Sequence, residues 1–443
     1  MQTTPPGPRG EPLFGSGRQY SADPLRFVED IERAYNGIAA FEMGPMETYF
    51  VTEPSAIEEV LVSDANSYRK PDFQSDTLGD LLGDGLLLSE GETWQKQRQL
   101  TNPAFTMGRL AAFDDRIADH TTDLLGRWNG GETLDMELEM TRVTIDVISD
   151  LMLGTELSER QLSQLRENLE PIGKQFEPDP MRFALPSWVP MPGDRAYQSA
   201  VSAVDEVVDE IIAQRRGTEG GEDGPMDLLS ILLRAQDKGD QSSEQLRDEV
   251  VTMLLAGHDT TALTLTYTWY LLSQHPEKRE RVYEEADAID GEPTIDDVRE
   301  FEYIEWVINE AMRLYPPVYA LFREAKEDVE LLDYDIPEES MIMLSQWAVH
   351  RSPTYWEDPE EFRPERWAGT EAEDRPRFAY FPFGGGPRHC IGKNLAKLEA
   401  QIIVAMVAQE YELTYTGPEK LNLRPTLTLH PQDGMDMVVS ERN

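Results

Sequence analysis

One ten-residue stretch narrows the folding options of this chain more than any other: Phe383-Gly384-Gly385-Gly386-Pro387-Arg388-His389-Cys390-Ile391-Gly392. It holds the single cysteine of a 443-residue chain. The run from Lys393 to Glu410 that follows is amphipathic and reads as a helix. A thiol on a glycine-rich loop feeding a helix N-terminus sits where negative charge is favoured, because free amide groups and the helix dipole both stabilise a thiolate. A lone thiol forms no intrachain disulfide. It can be a nucleophile, a core thiol or the one protein ligand of a metal cofactor.

The flanking residues separate these options. A core cysteine does not need four glycines around it. A thiol protease needs a histidine and an amide or carboxylate partner, and none of the 6 histidines stands in such a context. Gly384, Gly385, Gly386 and Gly392 remove side chains, so a flat bulky group can approach the backbone. Arg388 suits an acidic group at that cofactor's edge. This describes a haem with an axial thiolate and a paired propionate. The stretch matches Phe-x-x-Gly-x-Arg-x-Cys-x-Gly in full, and in this it resembles the signature loop of the cytochrome P450 family. With ordinary residue frequencies the fixed positions coincide on the order of once in ten million starts.

Charge is the second large signal. The chain has 84 acidic against 40 basic residues, a net charge of −44. The acids are spread along its whole length, which excludes a disordered acidic tail. Self-repulsion of this size destabilises a compact state. At molar salt the Debye length falls to about 3 Å and the repulsion is screened, so the composition reads as halophilic, an adaptation to a salt-loaded cytoplasm. A nucleic-acid partner is excluded, since a phosphate backbone needs a basic footprint. No signal-peptide pattern opens the chain, and the longest apolar run, 251–272, carries His258 and Asp259. It makes a poor membrane span and a good buried helix. A cytoplasmic protein without a transmembrane anchor is expected, most simply a monomer.

Organisation along the chain is mostly helical from 91 onward. Earlier, 38–43 and 47–51 read as a hairpin around Gly44-Pro45, 55–61 as a short helix capped by Ser55, and 70–89 as an irregular segment. Strands are expected at 329–332 and 341–344, with two more near Leu427 and Met437. No internal repeat and no clean linker appears, which argues for one domain.

Three further constellations carry chemistry. Ala256-Gly257-His258-Asp259-Thr260-Thr261 places a glycine and paired threonines inside a long helical pattern, where glycine alone costs about 1 kcal/mol relative to alanine. Thr260 can bond the Ala256 carbonyl, or Thr261 that of Gly257, opening a notch in the helix. Read alone, this pattern fits a packing site built of small residues equally well. The motif resembles the family's Gly-x-Asp/Glu-Thr, which implies that dioxygen sits in the notch and that Asp259 and Thr260 carry protons to it. Glu310-x-x-Arg313, upstream of Pro316-Pro317 and followed by Arg366, resembles the family's Glu-Arg-Arg triad, whose implied role is to hold the cysteine loop. Trp94-x-x-x-Arg98 lies one helical turn apart and resembles the pair that bonds a haem propionate. By position, Arg323 and His350 would complete that anion site with Arg388.

The resemblance covers nearly the whole chain. It implies a mainly α fold with small β-sheets (α+β): a triangular helical body at about 91–328 and 393–410, and a minor β-rich region from about 1–70, 329–350 and 411–440, in one domain over 1–443. It implies haem b held by the Cys390 thiolate, with Ala256, Phe383, Gly386 and Gly392 against the cofactor. The implied activity is insertion of one atom of dioxygen into a small lipophilic substrate such as a fatty acid or terpenoid. Phe73, Leu86, Leu87, Ala256, Val318, Leu321, Phe322 and Leu427 are the candidate apolar pocket, and Arg69 a candidate holder of a substrate carboxylate. Electrons would come from a separate ferredoxin and ferredoxin reductase, docking on a basic patch of Lys96, Arg98, Lys393 and Lys397. A peroxide-using haem-thiolate enzyme and a non-catalytic haem-binding sensor are the alternatives, and the intact Asp259-Thr260 pair argues against the first.

Overall fold

The 32-residue helix Ser243–Gln274 is the spine of the molecule. Ser242 and Gln245 close a reciprocal capping box at its start, and His275-Pro276 ends it. From Thr261 to Leu272 every residue is buried, so this part of the helix is enclosed on all sides. Its main partner is Met136–Leu153, started by the Asp135 carboxylate on the Glu137 amide at 3.1 Å and stopped by Gly154 in the left-handed region. The two helices meet at Gly257. A Cβ there would lie 2.7 Å from Ile148 Cδ1, so a larger residue would push the Ile148 side chain aside. The structure, a computed structural model, describes residues 4–35, 37–185, 189–216, 227–418 and 420–442.

Twelve strands form small separate sheets among the described residues: β1 (Ile38–Met43), β2 (Met46–Val51), β3 (Tyr68–Arg69), β4 (Thr133–Asp135), β5 (Leu321–Ala325), β6 (Val329–Leu331), β7 (Tyr334–Ile336), β8 (Met341–Leu344), β9 (Tyr411–Tyr415), β10 (Leu423–Pro425), β11 (Leu429–Pro431) and β12 (Asp436–Glu441). The largest has the order β1-β2-β8-β5-β3. β2 runs parallel to β8, with Tyr49 opposite Ile342, and the other pairs are antiparallel. Residues near the N-terminus and residues past 320 therefore share one sheet. The strand β12 is the middle of a second sheet, β4-β12-β9.

Several local expectations change. The segment read as irregular over 70–89 contains a helix, Asp72–Leu82, which buries Leu78, Leu81 and Leu82. Gly79 and the flanking acids masked that spacing. The helix near 55 is Pro54–Glu58, with Glu53 rather than Ser55 at its N-cap, and it widens into a π-helical turn at Glu59–Ser63. Two short strands, β4 and β5, lie in stretches assigned to the helical body.

Candidate active site

The cysteine loop is shaped by its own backbone bonds. The Cys390 amide donates to the Phe383 carbonyl at 2.9 Å, and His389 to Gly386 at 3.2 Å. The helix Lys393–Glu410 begins directly after Gly392. Burial pushes the Cys390 thiol up, while the Gly392 and Lys393 amides and the Arg98 and Lys393 charges pull it down. Cys390 is not covered by the protein's own side chains, since the residue is exposed. Those amides and cations are a seat for a thiolate, and they wait for a partner able to overcome the burial cost.

The glycines serve the protein's own packing more than was expected. A Cβ on Gly386, at φ +64, would meet the Leu61 carbonyl oxygen at 1.8 Å; one on Gly385 would meet the Phe378 ring at 2.6 Å. The loop is thus pressed onto the π-helical turn 59–63. At Gly392 the neighbours are at ordinary contact distance, Phe105 at 3.9 Å and the Cys390 sulfur at 4.0 Å.

Beside the loop, cations converge. Arg388 bonds the Ser89 carbonyl at 2.8 Å and Glu90 at 2.9 Å, and its guanidinium stacks over Trp94 at 4.6 Å. Arg323 is pushed down to about 10 by burial and by repulsion from Arg388. Lys70 is pushed down to about 7 by burial and by the charges of Arg323 and Arg388. Three cations here face one carboxylate, Glu90. In a chain of net charge −44, an under-neutralised basic cluster marks a site for an acidic group, and this charge imbalance fits the carboxylates of a haem edge. Lys70 was not legible in the sequence, where it stood alone in an apparent loop. Arg98 bonds the His389 carbonyl at 3.1 Å and its ring at 3.2 Å, so it braces the cysteine loop.

His350 does not belong to this cluster. It is fully buried, accepts the Phe381 amide at 3.0 Å and packs on Tyr380 and Phe381. Burial and the Arg313 and Arg351 charges hold it well below the usual imidazole range. It is a neutral core histidine that supports the backbone ahead of the loop.

Glu310, Arg313 and Arg366 meet with no exposed surface at all. Glu310 accepts from Arg313 at 2.8 and 2.9 Å and from Arg366 at 2.9 Å, with Trp367 and the Arg363 amide as further donors. The two arginines also bond carbonyls of residues 350, 357–359 and 361, tying that segment to the helix Tyr303–Leu314.

On the long helix, Ala256 is exposed although Leu254 and His258 beside it are buried. A bare patch midway along a mostly buried helix is a surface for something the chain itself does not provide. Thr260 bonds the Ala256 carbonyl at 3.1 Å and Thr261 that of Gly257 at 3.3 Å. The helix is nonetheless continuous through these residues, so the expected notch is not a break. Asp259 accepts from Thr428 at 2.7 Å, a partner that sequence reading missed because it lies 169 residues away.

Of the apolar candidates, Phe73 and Phe322 meet edge to face at 5.5 Å. Val318 and Leu321 are half-buried, Leu86 is buried in the core, and Leu87 and Leu427 are exposed. Arg69 is taken by Glu324 at 2.7 Å and Asp72 at 3.7 Å, so its charge is already met within the protein. Lys397 is bonded to Glu305 at 2.7 Å. Lys96 and Lys393 are exposed, and exposed Arg377 adds to the field at Lys393.

A thiolate seat, a basic cluster at its side and a helix with a bare patch and a carboxylate define a haem-thiolate oxygenase scaffold. Comparison with known proteins agrees. The Cytochrome P450 family model matches residues 5–435. Cyclooctat-9-en-7-ol 5-monooxygenase of Streptomyces melanosporofaciens is 35% identical over 93% of this chain and 90% of its own. LUTEIN DEFICIENT 5 of Arabidopsis thaliana is 31% identical over 92% of this chain and 72% of its own. Pentalenene oxygenase of Streptomyces avermitilis is 28% identical over 92% and 90%. The crystal structure of the cytochrome P450DA heme domain superposes with a TM-score of 0.87 at 27% identity, covering 100% of this chain and 99% of that one. The chain belongs to the cytochrome P450 family, and it is a monooxygenase of that family. Among the described residues no helix is long and apolar enough to cross a membrane.

Proposed function

We propose that this monooxygenase oxidises a cyclic terpenoid, with electrons from a separate ferredoxin-type donor. The terpenoid reading is supported by the named activities of two bacterial relatives, by the apolar Phe73–Phe322 pair and by Arg69, the candidate holder of a fatty-acid carboxylate, being already met by Glu324. Haem, when bound, supplies iron that takes up dioxygen and electrons. Cys390 would be its protein ligand, with its sulfur facing the Gly392 and Lys393 amides. Arg388, Arg323, Lys70 and Trp94 would hold its acidic edge, and the exposed Ala256 would leave room for it on the long helix.

The remaining chemistry belongs to this chain's own groups. The Thr260 hydroxyl donates to the Ala256 carbonyl, which leaves its oxygen free to accept a hydrogen bond. Asp259, next in sequence, holds or releases a proton at its carboxylate. The exposed cations Lys96, Lys393 and Arg377, with Lys397, would form the docking face for an acidic donor.

Binding of candidate substrates to the haem-loaded protein is read from the spin-state change in its visible spectrum. Cyclic diterpene alcohols and sesquiterpene hydrocarbons should shift it at lower concentration than C12–C16 fatty acids. A response to fatty acids alone would overturn the terpenoid reading.

A further inference from the structure

A chain of polar groups leads away from Asp259 toward the surface. Thr428 donates to Asp259 Oδ2 at 2.7 Å, Thr428 Oγ1 lies 2.9 Å from His430 Nε2, and His430 Nδ1 lies 2.7 Å from Glu137 Oε1. The single hydroxyl hydrogen of Thr428 is committed to Asp259, so the contact with Nε2 is a hydrogen bond only when Nε2 carries hydrogen. Glu137, ionised, only accepts, so Nδ1 must carry hydrogen too. Both nitrogens are protonated at once only in the imidazolium. Three separate elements build this line: the helix Met136–Leu153, the long helix and the strand β11. Tyr267 pins β11 in place through the Leu429 carbonyl at 2.7 Å. The His430 and Glu137 side chains are 18% and 20% exposed, so water reaches them. Among the described residues no cluster of three or more His, Cys, Asp or Glu could hold a metal ion, so this is not a ligand set.

We propose that His430, oriented by Glu137, returns protons to Asp259 through the Thr428 hydroxyl. The proposal rests on the reading of Asp259 as a proton carrier. In the step, Nε2–H passes its proton to Thr428 Oγ1 as the Thr428 hydrogen passes to Asp259 Oδ2. One N–H and one O–H bond break; one O–H bond forms at Thr428 and one at Asp259. Neutral His430 keeps Nδ1–H on Glu137 and takes its next proton from water at Nε2. His430 is a positioning and relay residue, since it acts only through Asp259.

The charges around the ring favour this. Burial alone would lower the His430 pKa, but Asp259 and Glu137 outweigh it and the net shift is upward. Arg424 of β10 opposes them, and His258, whose own pKa is lowered mainly by burial, also feels the His430 charge. Burial, in turn, raises Glu137 despite His430.

The test uses the full haem-loaded chain in molar KCl, with dioxygen as the probe, electrons from a reduced ferredoxin and no organic substrate. The readout is hydrogen peroxide released per dioxygen consumed. In the wild type this share should rise as pH rises through the His430 pKa, because the imidazolium is the donor. In His430→Gln it should be high and independent of pH. Independently, the His430 C2–H resonance of the reduced carbonyl complex should titrate above the ordinary imidazole value, and its midpoint should fall in Glu137→Gln. A His430→Gln profile that matches the wild type, or is raised equally at every pH, overturns the proposal. If Asp259→Asn still raises peroxide in that case, the Asp259 reading stands alone. An Asp259→Asn variant that behaves as wild type overturns both. Should His430→Gln fail to fold, an unmoved His430 titration in Glu137→Gln overturns the proposal by itself.

Discussion

Replacing Glu310 by glutamine changes one heavy atom and should cost about a fifth or more of the molecule's stability. Glu310 Oε1 accepts from Arg313 Nη2, the Arg363 amide and Arg366 Nε; Oε2 accepts from Arg313 Nε and Trp367 Nε1. An amide has one oxygen. Whichever way it turns, at least two of these donors face its NH2 group. Each unpaired buried donor costs about 1–3 kcal/mol, and breaking a buried ion pair costs about 3–5 kcal/mol. We therefore expect Glu310→Gln to lose about 3–5 kcal/mol against a total of about 5–15 kcal/mol. Urea unfolding followed by tryptophan fluorescence measures this, with both proteins at the same molar KCl and the m-values compared. A loss below about 1 kcal/mol at unchanged m would refute the reasoning. Exchanging all three charges for apolar residues should not restore stability. Arg313 and Arg366 each bond three main-chain carbonyls, which would lose these charged donors.

Other expectations are shorter to state. Gly386→Ala puts a Cβ 1.8 Å from the Leu61 carbonyl at φ +64, so purified protein should carry much less haem per chain, read from the Soret-to-280 nm ratio. Glu249 is pushed up to about 8 by burial, with Asp248 adding and the Leu86 amide opposing. The folded state therefore holds a proton that the unfolded state releases, and stability should fall as pH rises from about 4.5 to about 8, by about 1.4 kcal/mol per pH unit. Glu249→Gln should remove that slope; a wild type with no such slope would contradict the shift. At a net charge of −44, the thermal midpoint should climb between 0.1 and 2 M KCl as the Debye length shrinks from about 10 Å toward 3 Å, and a flat curve would remove the case for salt adaptation. Lys393→Glu with Lys397→Glu should slow reduction by an acidic ferredoxin at low salt more than at high salt, and an equal rate at both would remove the docking face.

What could be read from the sequence depended on how local the signal was. Cys390 and its loop carried their chemistry in ten consecutive residues, and Glu310 with Arg313 in four. Lys70, Thr428 and His430 were invisible because their partners come from other elements: Arg323 and Arg388 for the first, Asp259 and Glu137 for the others. The helix Asp72–Leu82 was hidden by a glycine and acids that tertiary packing overrides. His350 misled through chemistry alone, since an imidazole suits an anion as well as it suits the Phe381 amide. The glycines of the loop were assigned to a cofactor's face, whereas Gly385 and Gly386 answer to Phe378 and Leu61.

That contact between Gly386 and Leu61 has a consequence in time. A ribosome adds about 5–20 residues per second, so Leu61 emerges roughly 15–65 s before Gly386. For most of that interval β2 waits without β8, its parallel partner, and throughout it the seat of the cysteine loop has nothing to hold. Cofactor loading must therefore wait until the cysteine loop itself has been made. Until then β2 shows an open strand edge, the kind of surface on which chains pair with one another.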